Sequence, residues 1–398
     1  MPPGRAAAPS DPDVKGGARR GPLDGPRRRP PLRFVRVRVG ARGGYRVCLG
    51  AGALRRLVQD LASGRLATGW IPAHTVVVAD ATVARLYGRA LVTSLAGQGL
   101  RATLLDFPAG EIHKTRESKA RLEDRLARLA FGRDGVIVAL GGGVTGDLAG
   151  FLAATWHRGV PVVQAPTTLM GMLDSSIGGK VAVDHPLGKN LIGAFHPPLG
   201  VYADTRTLVT LPDRELRAGL AEALKCGAIA SAALFRSMAR DREEILRRHP
   251  DAIHRLLLAA ALVKARMVSG DERESGRRML LNFGHTLGHA VEAAAGYRLR
   301  HGEAVAIGMV FALRLSRIRG TLKNRNLPDR LARLLRRYHL PVSLRQDPRP
   351  LFEALAKDKK KSGGAIDFVL VRDVGRPCRQ RIPLSILKEE CLDLCQSP

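Results

Sequence analysis

Three of the chain's 11 histidines fall between residues 285 and 301. His285 and His289 are four apart in Asn282-Phe283-Gly284-His285-Thr286-Leu287-Gly288-His289, a spacing that puts both on one face of a helix. His301 follows after a short loop, in His301-Gly302-Glu303. A divalent metal needs nitrogen and oxygen donors with a position left open for substrate. The candidate carboxylate is Glu222, in the apolar stretch Gly219-Leu220-Ala221-Glu222-Ala223-Leu224-Lys225. An acid in such a stretch must be paired or ligating. The glutamate that follows the first histidine of a metalloprotease helix is missing, which argues against a protease. From spacing alone, capping or structural histidines remain the alternative.

A second constellation is Gly141-Gly142-Gly143-Val144-Thr145-Gly146-Asp147, which follows an apolar strand pattern and opens a helix. Glycines there let a phosphate approach the backbone, and the helix N–H groups attract it. The spacing fits a dinucleotide fingerprint, although no acid is plainly placed for a ribose about 20 residues on. A tight strand-to-helix turn is the alternative. A third feature is the set Arg158, Lys180, Lys189, Lys225 and Lys264, cations set in apolar or glycine-rich sequence. Such placement suits capture of phosphate or carboxylate; singly, each is also what a snorkelling surface residue looks like.

These residues need elements to position them. Strand patterns over 33–39, 45–49, 75–79, 102–107 and 135–140 alternate with helical patterns over 53–62 and 114–130 and from about 145. That alternation predicts a mostly parallel sheet covered by helices. After Pro212 helical patterns dominate, over 214–235, 251–267, 287–295, 303–318 and 328–338, with no further strand until 367–371. The expected division is a tail over 1–32, an α/β domain over 33–212 and a helical domain over 213–398. The tail holds eight of the 24 prolines and few large apolar residues, so it is expected to be disordered. It lacks the apolar stretch of a secretory signal.

Composition bounds the rest. The chain has 398 residues, is 45% hydrophobic and 25% charged, and has 4% aromatics; it reads as a globular protein with an aliphatic core. No uncharged run reaches the ~18 residues a membrane helix needs. Five scattered cysteines fit the reducing cytoplasm, and Cys391 and Cys395 lack a zinc-knuckle spacing. Lys and Arg total 65 against 36 Asp and Glu, a net charge of +29. That balance suits either nucleic acid or a polyanionic substrate. No nucleic-acid motif accompanies it, so no specific nucleic-acid partner is expected.

Taken together, the strings at 141–151, 166–180, 188–195, 281–290 and 301–309 resemble the 3-dehydroquinate synthase family, part of the sugar phosphate cyclases. The resemblance runs from about residue 33 to 375. It implies a Rossmann-like NAD-binding α/β domain followed by a helical metal-binding domain, with NAD+, a divalent metal (zinc or cobalt) and a homodimer. By motif, Glu222, His285 and His301 match the metal ligands. The cofactor contacts correspond to Asp80, Glu111, Lys114, Gly143, Val144, Thr145, Gly146, Asp147, Thr167, Thr168, Lys180, Lys189, Thr207, Leu208, Val209 and Thr210. Substrate and acid–base positions correspond to Arg158, Asp174, Lys180, Asn190, Lys225, Lys264, Glu274, Arg278, Asn282 and His289, with Lys359 and Lys360 as a basic pair near the end. The arginine at position 158 is implied to reach the neighbouring subunit's site.

The resemblance also implies a chemistry. The substrate would be a seven-carbon acid phosphate, whose two anionic groups call for the cations. NAD+ oxidises an alcohol, phosphate leaves by elimination, the ketone is re-reduced, and an aldol closure gives a carbocycle in the shikimate pathway. The cofactor is thereby regenerated. His289 and Lys264 are the groups expected to handle protons. Departures are small. Asp184 stands where many members have asparagine, Val181-Ala182-Val183 is an uncommon variant, and the loop before His301 is about a residue short. A cyclase of secondary metabolism, making an inosose or a valiolone, is the nearest rival, and a basic nucleic-acid-binding protein is the rival of a different class.

Overall fold

The computed structural model describes residues 30–40, 43–296, 298–344, 349–351, 353, 355 and 365–387. The expected tail over 1–32, apart from its last three residues, lies outside the described residues, as do Lys359, Lys360, Cys391 and Cys395.

The first half alternates strands and helices in chain order: β1 (Arg33–Val37), β2 (Tyr45–Leu49), α1 (Ala53–Ala62), β3 (Thr75–Asp80), then α2 (Ala81–Val83), which runs through a π-helical turn into α3 (Arg89–Ala96). After these come β4 (Ala102–Phe107), α4 (Arg116–Arg128), β5 (Val136–Gly141), α5 (Gly143–Thr155) and β6 (Val162–Pro166). The hairpin β7 (Lys180–His185) and β8 (Gly188–Phe195) follows, then β9 (Gly200–Ala203). Seven strands form one sheet in the order β1-β2-β9-β6-β5-β3-β4, parallel except where β1 pairs antiparallel with β2. Every residue of β5 and β6 is buried, as a parallel strand covered on both faces requires. The chain steps from β3 to β4 in one direction and returns to place β5 on the other side of β3. The crevice at the carboxyl ends of β3 and β5 is therefore a topological switch point, where open α/β sheets bind ligands.

From Asp213 the chain is helical: α6 (Asp213–Ala230), α7 (Ala232–Arg240), α8 (Arg242–Leu246), α9 (Pro250–Val268), α10 (His285–Ala294), α11 (His301–Ile318) and α12 (Leu327–Arg337), closed by the hairpin of β10 (Ala365–Asp373) and β11 (Arg376–Pro383). One apolar cluster joins Val35, Val37, Val47 and Leu49 of the sheet edge to Leu220, Leu224, Leu257 and Val310 of the helices. The two halves share a core, which holds the crevice walls in fixed relation.

Several sequence expectations change, beginning with β6 and β9, two sheet strands for which no strand pattern was read. The pattern over 214–235 is two helices, because Ser231 leaves helical geometry and accepts a hydrogen bond from the Leu234 N–H at 3.2 Å as the cap of α7. Lys114 precedes α4 rather than opening it, because Thr115 is the cap, its hydroxyl accepting from the Ser118 N–H. The hairpin of β7 and β8 stands apart from the main sheet, where no strands were expected. A second strand, β11, pairs with the expected one near 367–371; its arginines and two prolines hide the strand pattern.

Candidate active site

Glu222 sits in the middle of α6 and is fully buried. His285 and His301 each open a helix, α10 and α11. Contact of α11 with α6 depends on Gly302, where a Cβ would run into the Ala218 carbonyl oxygen. The result is a cluster in which one donor atom from each of Glu222, His285 and His301 lies within 4.8 Å of the others. Glu222 Oε1 faces the Nε2 atoms of His285 and His301 at 3.5 and 3.6 Å. Oε2 is ion-paired with Lys225, one turn on and equally buried. Neither oxygen accepts a well-formed hydrogen bond from the described residues. A buried carboxylate whose lone pairs converge with two imidazole nitrogens is what an N/O-ligated divalent metal needs, so the residues fit such an ion.

The electrostatics differ among the three groups. Burial opposes charge on Glu222, but Lys225 and the two histidines outweigh it and hold its carboxyl well below the usual range. Burial and Lys225 hold His285 well below the usual imidazole range; it stays neutral, as a ligand must. Its Nδ1 is 3.2 Å from the Phe283 carbonyl oxygen, and an N–H donated there leaves Nε2 with its lone pair. His301 rises to about 9 despite its burial, because Glu222 and Glu292 both favour its charged form. Glu292 was not among the residues singled out from sequence. The signal was present: an acid in the apolar Ala290-Val291-Glu292-Ala293-Ala294, three residues after His289, the same anomaly that marks Glu222.

Beside this cluster lie the expected anion-holding groups. Asp174 is ion-paired with Lys264; burial opposes its charge, but Lys225 and Lys264 hold it at about 2. Lys180 pairs with Glu274, whose Oε1 accepts from Asn282 Nδ2 at 2.9 Å. Burial, Arg278 and Lys264 bring the Lys180 ammonium down to about 8. Arg278 is buried and donates to the carbonyls of Gly178 and Glu272 at 3.1 and 2.7 Å. A cleft of about 810 Å³ is lined by Asn282, His285 and His289 on one side and by the β7–β8 turn and β10 on the other; of the groups around Asp174 and Glu274 only Asn282 lines it, and Asp174 faces the cleft at the switch point instead.

A second cleft of about 830 Å³ opens at the switch point. Asp80, Glu111, Lys114, Gly143, Val144, Thr145, Asp147, Thr168, Lys189 and Asn190 line it, and its far end reaches His289, Glu292 and His301. The amino terminus of α5 points its free N–H groups into it, an arrangement that attracts phosphate. Lys114 is buried and donates to Asp147 Oδ2 at 2.6 Å and Asn190 Oδ1 at 2.5 Å. Burial opposes its charge, but Asp147, Glu111 and Asp184 outweigh it.

Some expected positions lie elsewhere. Gly146 faces Gln164 inside the domain. Thr207 is buried, and its hydroxyl lies 2.8 Å from the Asp204 carbonyl and 3.2 Å from the Thr167 carbonyl, so it packs behind the Thr167–Thr168 turn. Leu208 is in the core, Val209 is 76% exposed, and Thr210 shares a 2.5 Å hydrogen bond with Tyr87; none of these lines the cleft. Arg158 is exposed at a φ of 67° and lines neither cleft of this chain.

Comparison with known proteins bears on this geometry. Residues 104–218 match the family described as 3-dehydroquinate synthase N-terminal, and residues 219–361 match 3-dehydroquinate synthase C-terminal. A 3-dehydroquinate synthase of Pelobacter propionicus is 46% identical over 337 residues, 83% of this chain and 91% of its own. Among solved structures, a 2-epi-5-epi-valiolone synthase from Streptomyces hygroscopicus with NAD+ and Zn2+ bound has a TM-score of 0.80 at 31% identity, covering 91% of this chain and 99% of its own. A 2-deoxy-scyllo-inosose synthase complexed with carbaglucose-6-phosphate, NAD+ and Co2+ has a TM-score of 0.81 at 24% identity over the same shares; at that identity it speaks for the fold alone.

Proposed function

The chain belongs to the 3-dehydroquinate synthase family, and we propose from that premise that its two clefts divide one reaction between them. The enzyme is a phosphate-eliminating carbon–oxygen lyase. It converts 3-deoxy-D-arabino-heptulosonate 7-phosphate to 3-dehydroquinate and phosphate, a step toward aromatic amino acids. It uses NAD+ and a divalent metal, zinc or cobalt. The observation that carries the reading is the convergence of Glu222, His285 and His301 where the two clefts meet. When bound, the metal supplies a Lewis acid beside the reacting alcohol and NAD+ supplies a hydride acceptor that is regenerated.

In this reading the protein's own groups do the following. The free N–H groups at the start of α5 and the Lys114 cluster hold the dinucleotide in the switch-point cleft. Lys180, Lys225, Lys264 and Arg278 place four cations beside Asp174 and Glu274. Glu274, Asp174 and Glu222 pair with three of them, so a substrate phosphate or carboxylate would exchange with these acids for the same cations. Asn282 is oriented by Glu274 and presents its amide to a substrate hydroxyl. His289 lines both clefts, which puts an imidazole where a proton must move. The division into an α/β part over 33–212 and a helical part over 213–398 follows the same line.

A second copy of the chain is part of the proposal. Gly159, next to Arg158, lies near His196, the residue after β8, and on that strand Leu191 and Phe195 are 54% and 46% exposed. An exposed apolar strand edge favours pairing with another chain. No helix among the described residues is long and apolar enough to cross a membrane. The buried free thiols Cys48 and Cys226 are in keeping with the cytoplasm as the compartment.

The test is direct. Purified protein is incubated with the seven-carbon acid phosphate, NAD+ and zinc or cobalt, and in parallel with sugar phosphates that lack the carboxylate. Dehydroquinate and free phosphate from the first alone are expected. An inosose or valiolone from the second would transfer the assignment to the cyclases of secondary metabolism.

A further inference from the structure

Glu292 lies on α10, is 2% exposed, and has no part in the ligand set read above. Its Oε2 is 3.2 Å from His301 Nδ1, and its Oε1 accepts from Lys189 Nζ at 3.3 Å. The same ammonium lies 3.4 Å from Glu111 Oε1, on the wall of the switch-point cleft whose far end Glu292 reaches. A carboxylate buried this deeply is stabilised only if its partners are fixed. Here one partner is the ring that must aim a nitrogen at Glu222, and the other comes from the β7–β8 hairpin of the opposite half.

We propose that Glu292 is a positioning residue for the metal site: it accepts the Nδ1–H of His301 and fixes the ring with Nε2 toward Glu222, while Lys189 anchors Glu292 from across the cleft. Carboxylate–histidine pairs of this kind set the tautomer and raise ligand basicity. They contribute typically 10–100-fold to metal affinity. The arrangement also ties the metal ligand to the cofactor wall through Lys189 and Glu111. His289, Glu292 and His301 offer donor atoms within 4.8 Å of one another as well, so a second ion held directly by Glu292 is the competing arrangement. One imidazole that gives Nε2 to the first site would then have to give Nδ1 to the second.

The proposal rests on reading Glu222, His285 and His301 as ligands, and the experiment separates the two. Cobalt affinity is measured by chelator competition, and the visible absorption of bound cobalt is recorded, for the parent, Glu292→Ala, Glu292→Gln and His301→Ala. Expected are one cobalt per chain, about a 10–100-fold loss in Glu292→Ala, and a smaller loss with a shifted spectrum in Glu292→Gln, whose amide oxygen still accepts from Nδ1–H. Melting of the metal-free protein, which a merely structural role would lower, should stay near the parent's in Glu292→Gln. Glu292 variants within twofold of the parent with an unchanged spectrum, while His301→Ala has lost the ion, would overturn the proposal alone. Two cobalt ions in the parent and one in Glu292→Ala would overturn it in favour of direct ligation. His301→Ala with parental affinity would overturn the ligand reading and this proposal together.

Discussion

The switch-point cleft and the Glu222–His285–His301 cluster meet at His289 but are built on opposite plans. The cleft is made at the carboxyl ends of β3 and β5 by Asp80, by the run from Gly142 to Thr145 and by Asp147. Along that run its instruments are backbone N–H groups and short side chains adjacent in sequence, while Glu111, Lys114, Lys189 and Asn190 join them from other segments. The Glu222–His285–His301 cluster takes one residue each from α6, α10 and α11 and sets a buried carboxylate, lysine and imidazoles against one another. None of those charges is tolerable alone in the interior; each depends on the others being in place. A backbone site degrades gradually under substitution, whereas an assembly of mutually dependent buried charges fails as a unit.

The largest expected effect follows from that dependence. Replacing His301 by Ala, or prolonged chelation of the parent, should lower turnover at least about a hundredfold, the scale of the several kcal/mol a bound Lewis acid supplies. Zinc or cobalt should restore only the chelated parent. Full turnover in rigorously metal-free protein would break the comparison outright.

Next is Lys264→Ala. Losing a charge-assisted contact to a bound anion is worth about 1.5–3 kcal/mol, roughly ten- to a hundredfold in kcat/KM. Lys225 still compensates Asp174, so the protein should fold. NAD+ affinity, read by cofactor fluorescence, should be nearly unchanged. A collapse of NAD+ binding with turnover preserved at saturating cofactor would put Lys264 on the cofactor side.

How much of this was legible in the sequence follows the same contrast. The glycine run and the strands flanking it could be read locally, because strand, loop and helix are consecutive. Glu222 was legible only as an acid in an apolar helix, and Glu292 carried the same sign yet passed unremarked. What spacing could not supply was the fold-level distance between α6 and α11, which Gly302 makes possible. The β7–β8 hairpin was missed for a related reason. Its strands are broken by charged and glycine residues whose role is to line clefts, and cleft-lining competes with the alternation that marks a strand.

Gly302→Ala sharpens that point. Overpacking at such a contact typically costs about 1–3 kcal/mol, and the forced separation of α11 from α6 should weaken cobalt binding while leaving NAD+ affinity intact. A variant with a lowered melting temperature but parental cobalt affinity would show that helix spacing does not set the ligand geometry.

A smaller effect is expected with pH. Lys180 is charged near neutrality and loses its proton as pH rises through about 8. Anion affinity should therefore fall above that pH, seen as a rising KM at constant zinc and NAD+. Lys180→Arg stays charged and should move the limb upward. A limb that stays in place in the arginine variant would assign it to another group. The smallest effect is expected from a chain shortened to begin near Pro31, which should melt and turn over like the parent; a large drop in either would show that the leading segment packs on the body.

The central claim is that both clefts serve one substrate, with the cofactor returned at each cycle. Its most direct measurement is the ratio of phosphate released to NADH formed, starting from the seven-carbon acid phosphate, catalytic NAD+ and saturating zinc or cobalt. The account expects many phosphates per NAD+ with no growing absorbance of NADH. NADH accumulating in step with product would make the enzyme a simple dehydrogenase and contradict the account.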